Sequence, residues 1–287
     1  MTDIHAVHHL GILTRDLDGL ERTYRSFGFT LSPRSRHLMS ERPGEPPIPG
    51  CTANLCALFG GSYIELLGIV DESAPDPWHT RSMPDGLQIL NLETGDAAGT
   101  DRRLAAAGLR TSGVLELARD VDTEDGTRTM RARAVHLDPR ATPEGFIGIA
   151  QHLTREYVHQ PRYLGHPNGA RGIGAVVIVA AEDRLDTITE RYRLLLDTEP
   201  VDEGPRRVLT GKDVRLELIR AADVADVLPG EPVPAPSYLA AMTIRVEEIE
   251  RARRIVADSG TATRSTPEGF FVSARDAYGA GLFFTAG

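Results

Sequence analysis

The 287-residue chain has little cysteine, little lysine and no long apolar run. Its two cysteines, Cys51 and Cys56, are too few for a disulfide framework, so a cytoplasmic location is the default expectation. Their C-x4-C spacing has no second half, and we therefore do not expect a structural zinc site. Lys212 is the only lysine, and we draw no mechanism from that bias.

Two further absences limit the possible partners. No stretch of about 18 apolar residues occurs, so no transmembrane helix and no membrane partner are predicted. The start, MTDIHAVHHL, lacks a basic segment followed by an apolar one, and we do not expect a signal peptide. The formal net charge of -9 argues against nucleic acid as a partner, because a phosphate backbone favours a basic face.

An internal repeat organises the chain. Each copy begins with a short apolar strand, followed by an acidic or small helix start, about ten amphipathic residues, and a glycine or aspartate stop. The copies span residues 8–30, 87–111, 172–198 and 238–263. Each copy then continues into strand-like sequence that closes on an apolar strand, at residues 60–70, 144–154, 214–221 and 279–287. This order predicts four β-α-β-β-β units.

The four units are expected to pair. A single unit leaves one face of its sheet uncovered, and pairing with a second unit buries that face. Pairing in chain order predicts an α+β protein with two domains, over residues 1–156 and 171–287, joined by the turn-rich stretch 155–172. A monomer and a homodimer both fit this arrangement. The Pro/Gly stretch at residues 35–52 is open to two interpretations, a lid over a site or a disordered surface loop.

Specific motifs carry a family resemblance. The opening segment HHLGILTRDLDGLERTYRSFGF and the closing strand SYIELLGI resemble the vicinal oxygen chelate superfamily, the glyoxalase/bleomycin-resistance/extradiol-dioxygenase fold. The run QHLT…HPNGA within residues 151–170 is similar to the glyoxalase-like domain subgroup. The resemblance covers nearly the whole chain. It implies that paired units curl into cups, and it leaves the reaction open because the family includes isomerases, dioxygenases and simple binding proteins.

The same resemblance implies a metal site in the N-terminal cup. His9 lies seven residues before Asp16, where the family places its opening-strand ligand, and Glu65 lies in the closing strand of the first unit. The second unit offers His152 in its closing strand and Gln88, a weak contact, in its opening strand. His9, Glu65 and His152 would suit Fe(II), Mn(II), Ni(II) or Zn(II) and leave positions for a substrate. An arginine partner for Glu65 would make the site a salt-bridged polar pocket instead.

The strand pattern makes a prediction for the residues beside these ligands. Neighbouring strand residues face opposite ways, so we expect His8 to point away from the cup if His9 points into it. Tyr63 shares a strand face with Glu65. It is a candidate acid/base or substrate-orienting group, with core packing as the alternative.

Three polar residues are further candidates for substrate binding beside Gln88. Asn54 lies on a middle strand of the first unit, where its amide could bond a substrate. His166 and Asn168 belong to the HPNGA turn and could reach the cup, although a Pro-Asn-Gly sequence also suits a fixed turn between domains. The second domain has no histidine in its opening strands. Its Glu217 matches Glu65 in position, with Arg215 or Arg220 available to neutralise it.

These observations lead to two competing hypotheses. The first is a metal-dependent glyoxalase-like enzyme that acts on a small oxygenated molecule by lyase, isomerase or dioxygenase chemistry. The second is a metal-free protein that binds and sequesters a small molecule, as the bleomycin-resistance type does. Both place a small-molecule ligand in the N-terminal cup, and the second domain is expected to be a copy without metal.

Overall fold

The computed structural model describes residues 3–39 and 48–287. The strands of the first half are β1 (Ile4–Thr14), β2 (Ser35–Met39), β3 (Ile48–Leu58), β4 (Tyr63–Ile69), β5 (Gly86–Thr94), β6 (Leu115–Thr123), β7 (Gly126–His136) and β8 (Phe146–His152). Those of the second half are β9 (Ala170–Ala180), β10 (Val201–Glu203), β11 (Arg206–Thr210), β12 (Arg215–Arg220), β13 (Tyr238–Val246), β14 (Thr263–Thr266), β15 (Gly269–Val272) and β16 (Gly281–Ala286). The α-helices are α1 (Leu17–Ser26), α2 (Ala97–Ala106), α3 (Arg155–Val158), α4 (Leu185–Leu196), α5 (Val224–Val227) and α6 (Ile249–Asp258).

The strands form two eight-stranded sheets of matching topology. The first has the order β2-β3-β4-β1-β5-β8-β7-β6, and the second has the order β10-β11-β12-β9-β13-β16-β15-β14. In each sheet the first strands of two units pair antiparallel at the centre, and each also pairs in parallel with the last strand of its own unit. The prediction of an α+β fold built from four paired β-α-β-β-β units is confirmed.

Local sequence explains where the first helices begin. Asp16 precedes α1 and accepts a hydrogen bond from the backbone N–H of Gly19 at 2.9 Å. Asp96 does the same for α2, accepting from Gly99 at 3.0 Å. Each aspartate accepts a hydrogen bond from a backbone N–H that has no acceptor within the helix. Its negative charge also interacts favourably with the helix N-terminus. These caps are the acidic helix starts of the repeat.

One hydrophobic core joins the two sheets. It includes residues of β1 and α1, such as Leu10 and Tyr24, together with residues of α4 and β16, such as Tyr192 and Phe284. These side chains come from one face of each sheet and from the helices beside it. The opposite face of each sheet is therefore left to line its own cup.

The two cups are filled differently. The inner face of the second sheet packs Val177, Val179 and Ile219 against α5 and the following Leu228. A short helix of the same domain therefore occupies that cup with apolar side chains. The inner face of the first sheet instead lines an open cavity, described below.

Two further findings concern the chain as a whole. Within residues 3–39 and 48–287, none of the helices combines the length and apolar character needed to cross a membrane. The sequence left two interpretations of the stretch 35–52, a lid and a surface loop. The two ends of this stretch belong to β2 and β3, and residues 40–47 between them lie outside the described residues.

Candidate functional site

A β-bulge turns both histidines of β1 into the N-terminal cup. Val7 pairs with Leu92 and His9 with Asn91, so His8 is an extra residue that has no partner on β5. A bulge breaks the alternation of side chains at that point. Both imidazoles line the same cavity, and their Nδ1 atoms lie 2.7 Å apart. The expectation that His8 points away from the cup was wrong, because alternation holds only for regular strands.

The cavity of the cup measures about 150 Å³. One wall is apolar and consists of Leu67 and Ile89 with the partly buried Met83 and Phe146. Trp78, from the segment between β4 and β5, also lines it. A space of this size and composition suits a small organic molecule with an apolar body.

The carboxylate of Glu65 is the only acidic side chain that lines this cavity among the described residues. The side chain of Asn54 donates a hydrogen bond to Oε1 at 2.6 Å. The Nε2 atom of His9 lies 3.7 Å from Oε2, and that of His37 lies 3.6 Å from Oε1. Burial raises the pKa of Glu65, although the Asn54 bond and the charge of Arg119 partly oppose that shift.

The hydrogen bonds of His9 define its tautomer. The Asn91 amide donates to Nε2 of His9 at 3.0 Å. Burial, together with the charges of nearby histidines and Arg119, lowers the pKa of His9 to about 3, so the ring is neutral. With the Asn91 nitrogen on this side, the ring proton sits on Nδ1 and is shared with Nδ1 of His8. The Nε2 lone pair of His9 accepts the Asn91 hydrogen bond, and Oε2 of Glu65 lies 3.7 Å from the same nitrogen.

His37 is a member of the site that the sequence analysis missed. It lies on β2, and its Nδ1 atom is 2.8 Å from the Thr52 hydroxyl on β3. Burial lowers the pKa of His37 to about 3, so this ring is also neutral. The only sequence signal was a lone histidine at the edge of the Pro/Gly stretch, and a lone histidine does not by itself indicate a ligand.

The second unit contributes different residues from those expected. His9 pairs with Asn91 across the sheet, three residues after Gln88, and Gln88 is not among the residues that line the cavity. The register of β5 with β8 places Ala150 where the first unit has Glu65. His152 lies two residues further along, where its ring meets that of His8 at a centroid distance of 4.4 Å.

The expected ligand set does not form as a group. Within residues 3–39 and 48–287, no three His, Cys, Asp or Glu side chains are arranged to hold one ion. His9 and Glu65 nevertheless fit an ion as a pair. Two donors that bind one ion at about 2.1 Å each lie at most about 4.2 Å apart, and their 3.7 Å separation meets that limit. Each is also oriented from behind by a hydrogen bond, as metal ligands usually are.

Two neighbours of Glu65 have restricted roles. Asn54 is engaged at both ends, because its amide also lies 3.4 Å from a guanidinium nitrogen of Arg119. Its contacts position the carboxylate. Tyr63 stacks on His9 with the ring centroids 4.6 Å apart. Burial raises the pKa of Tyr63 well above its usual range, so the phenol keeps its proton and does not act as a base.

The turn residues His166 and Asn168 lie outside the cup. His166 accepts from the backbone N–H of Thr30 at 3.0 Å and donates to the carbonyl of Leu58 at 2.9 Å. The amide of Asn168 donates to the carbonyl of Phe27 at 2.9 Å. Both side chains are buried, and neither lines the cavity. Their hydrogen bonds fix the connection between the two sheets, as the turn interpretation expected.

The matching carboxylate of the second sheet has opposite surroundings. Glu217 forms ion pairs with Arg206 at 3.0 Å and Arg215 at 2.7 Å. For Glu65, the described basic groups within ion-pair distance are the imidazoles of His9 and His37. One cup therefore neutralises its carboxylate with arginines, while the other surrounds it with uncharged imidazoles.

The buried histidines make a prediction about acid stability. These histidines are neutral in the folded protein and become protonated when the chain unfolds. Below their ordinary pKa of 6.5, the folded protein therefore binds fewer protons than the unfolded chain does. Stability should therefore fall as the pH drops from about 6.5, by about 1.4 kcal/mol per pH unit for each such histidine. Urea unfolding with a chelator present measures this slope. The pKa is lowered for His8, His9, His37, His136, His152, His159 and His166.

A matched variant calibrates the slope. His136→Phe removes one buried imidazole, whose pKa burial lowers to about 4, and should reduce the slope between pH 6 and 5 by about one proton. A wild-type slope of one proton or less would show that the rings are protonated in the folded state.

Comparison with known proteins identifies the family of this chain. The profile of a family described as "Glyoxalase-like domain" matches residues 7–196, which is most of the chain. The chain belongs to the glyoxalase-like domain family. No curated protein matches it in sequence. The family match begins within β1, covers the rest of the first sheet and ends at the last residue of α4.

Solved structures share the fold of this family member at low sequence identity. A crystal structure of a hypothetical protein from Staphylococcus aureus has 12% identity and a TM-score of 0.67, covering 98% of this chain and 100% of that one. A mutant of 4-hydroxymandelate synthase from Streptomyces coelicolor has 12% identity and a TM-score of 0.61, covering 100% and 94%. A fusion of a xylose isomerase-like TIM barrel with 4-hydroxyphenylpyruvate dioxygenase has 16% identity and a TM-score of 0.58, covering 93% of this chain and 40% of that one. At these identities the likeness supports the fold alone.

Proposed function

We propose that the N-terminal cup is the active site of a metal-dependent glyoxalase-like enzyme that acts on a small oxygenated molecule. The reaction class would be that of a lyase, an isomerase or a dioxygenase. His9 and Glu65 would hold the ion, with His37 beside them. A 180° rotation of the Asn91 side-chain amide would place its oxygen, instead of its nitrogen, next to Nε2 of His9, where the oxygen would serve as a further metal ligand.

The surroundings of Glu65 are the observation that carries this proposal. A buried carboxylate is costly without a cation, and the domain copy satisfies the matching Glu217 with two arginines. Glu65 is 8% exposed, and its Oε2 atom lies 3.7 Å from Nε2 of the neutral His9 instead. A carboxylate oxygen and an imidazole nitrogen 3.7 Å apart are close enough to bind one cation, which would replace the Asn91 N–H at Nε2.

The ion and the residues of the cup would have separate roles in the reaction. A divalent ion such as Fe(II), Mn(II), Ni(II) or Zn(II) would supply Lewis-acid polarisation of a carbonyl or enolate oxygen. Glu65 would hold the ion through one carboxylate oxygen, and its other oxygen would be free to take a proton from the bound molecule and return it. Arg119 places a positive charge in the wall beside the carboxylate. The apolar wall of Leu67 and Ile89 excludes water from the reacting atoms.

A metal-free binding protein is the second candidate, as the sequence analysis allowed. The observation that favours it is the absence of a three-residue ligand group within the described part of the chain. In that case the cavity would hold its ligand by apolar contacts and by hydrogen bonds to the imidazoles. Metal content separates the two candidates without an activity assay.

Elemental analysis of protein purified without a histidine tag is the direct test. We expect about one equivalent of a transition metal per chain, reduced roughly tenfold or more in His9→Ala because the variant removes a ligand. His5→Ala, on the same strand but outside the cavity, should keep the wild-type content. Wild-type protein that binds none of the four metals after reconstitution would contradict the proposal and support the binding protein.

A further inference from the structure

Arg119 carries a positive charge that has no ion-pair partner in the described part of the chain. The residue is partly buried, and no carboxylate of residues 3–39 and 48–287 lies within ion-pair distance of its guanidinium. Every other described arginine without such a partner is exposed to solvent. The one side-chain hydrogen bond of Arg119 among these residues is a long contact of 3.4 Å from Nη1 to Oδ1 of Asn54. A guanidinium has five N–H donors, so most of them are available to a ligand.

The alternation of β6 directs Arg119 into the cup. Partly buried residues alternate with exposed ones along this strand, and Leu117, Arg119 and Val121 are on the partly buried side. Leu117 and Val121 pack against the apolar cluster that contains Met130, the partner of Arg119 in the sheet. The acidic residues of the strand are on its exposed side: Glu116, Asp120 and Asp122. A charge among apolar side chains is costly unless a ligand or another residue pairs with it.

The guanidinium lies near the carboxylate of the cup without contacting it. The amide of Asn54 stands between them, because it donates to Oε1 of Glu65 at 2.6 Å and accepts from Nη1 of Arg119. Arg119 also borders a second cavity beside α3, but its contact with Asn54 keeps one guanidinium nitrogen at the cup. The unpaired cation is therefore next to the place proposed for the ion.

A carboxylate group on the bound molecule fits these surroundings. It accepts two parallel hydrogen bonds from the fork of a guanidinium, and its charge neutralises the cation. A neutral ligand would leave that charge unpaired. Another part of the wall, with Leu67 and Ile89, is apolar, and the cavity measures about 150 Å³. The rest of the molecule would therefore be a compact apolar body, such as an aromatic ring.

We propose that Arg119 binds a carboxylate of the substrate, and that the substrate class of the cup is small carboxylic acids with an apolar body. The inference rests on the proposed function in that the same cup holds the substrate. There the ion would neutralise Glu65, which leaves the charge of Arg119 for the bound molecule. Arg119 orients the molecule through its carboxylate.

The test compares benzoate with benzamide, which have nearly the same shape but differ in charge. Trp78 is the only tryptophan of the chain and lines the cavity, so its fluorescence reports binding. In chelator-treated protein at neutral pH we expect benzoate to bind roughly tenfold more tightly than benzamide or better, from charge-assisted hydrogen bonds to the guanidinium. In Glu65→Gln the preference should be at least as large, because a negative charge near the guanidinium is removed. Wild-type protein without the preference would overturn the proposal.

Substitutions of Arg119 test the cause of the preference. In Arg119→Met the ratio should fall to about one or below, while the affinity for benzamide stays close to that of wild type and shows that the cavity is intact. Arg119→Lys keeps the charge without the fork, so it should retain part of the preference. The matched control is Arg133→Met, because Arg133 also lines the cavity but is paired with Glu116 at 2.8 Å. It should keep the wild-type ratio. An undiminished preference in Arg119→Met would contradict the proposal.

Nitrogen NMR of the guanidinium groups tests the site even if Arg119→Met fails to fold. The signal of Arg119 is assigned by its loss in Arg119→Lys. We expect benzoate, but not benzamide, to shift this signal in the wild-type protein. A signal that benzoate leaves unchanged would rule out the carboxylate site.

Metal content decides the enzyme proposal separately. A preference for benzoate in protein that binds none of the four metals would contradict only the enzyme proposal. Protein that binds a metal and shows no preference for benzoate would contradict only the carboxylate site.

Discussion

Glu65→Gln should stabilise the ion-free protein at neutral pH while removing most of its ion binding. The pKa of Glu65 is raised by burial, so the folded protein holds this proton to a higher pH than the unfolded chain does. Its contribution to stability is greatest below the ordinary value of 4.5 and is lost as the pH rises through the folded pKa. Glutamine carries no charge, so the variant should gain about 1–3 kcal/mol at pH 7 and nothing at pH 4.

Urea unfolding with a chelator, at both pH values, measures this difference. The acid titration of the histidines cancels because it is common to both proteins. When an ion is added at about 100 times its dissociation constant, wild type should gain about 2.7 kcal/mol, and Glu65→Gln should gain far less. We expect activity, once a substrate is found, to fall by roughly 100-fold or more.

Glu217→Gln is the matched control. It changes the equivalent carboxylate of the second sheet, which is paired with Arg206 and Arg215. The substitution leaves both guanidiniums without that partner, so it should lower the stability at neutral pH. The two substitutions are therefore expected to change the stability at neutral pH in opposite directions. A loss of stability in Glu65→Gln as well would mean that a cation already neutralises Glu65 in the ion-free protein.

Glu144→Ala should have the largest effect on stability. Glu144 is 2% exposed and forms an ion pair with Arg191 of α4, which is 5% exposed. The hydroxyl of Tyr192 also donates to the same carboxylate at 3.0 Å. Removing the carboxylate leaves a buried guanidinium uncompensated, and this typically costs about 3–5 kcal/mol. Thermal and urea unfolding would both detect a loss of this size.

A double variant and a surface control test the cause of that loss. Glu144→Leu combined with Arg191→Met replaces the pair by apolar groups, and it should recover much of the stability lost in Glu144→Ala. Glu190→Ala breaks an exposed pair with Arg193 on the same helix and should change stability little. A double variant that is as unstable as Glu144→Ala would mean that the lost packing, and not the unpaired charge, is responsible.

The backbone plan of this protein could be predicted from local sequence. Strand alternation, helix periodicity and the acidic caps at Asp16 and Asp96 act over a few residues, and each unit repeats them. A β-α-β-β-β unit has one natural way to bury its open face, so the pairing of units followed. The positions of His9 and Glu65 on their strands depended on the same local patterns, and the structure brings these two side chains to 3.7 Å.

The rest of the candidate site depended on register. The bulge at His8 comes from the pairing of β1 with β5, and it turns inward a side chain that simple alternation turns outward. The same pairing places Asn91, not Gln88, beside His9. In the second unit, His152 lies beyond the position equivalent to Glu65 and meets His8 instead.

Local sequence was enough to predict the repeats, the order of the elements and a carboxylate in the closing strand of the first unit of each domain. What surrounds each carboxylate depends on the folded arrangement of distant strands, which places imidazoles from β1 and β2 around Glu65 and arginines around Glu217. The folded arrangement also decides that α5 fills the second cup. This difference follows from how far apart in the sequence the interacting residues lie. Turns, caps and periodicity are properties of neighbouring residues, whereas the charge and solvation of a buried group depend on side chains brought together from distant strands.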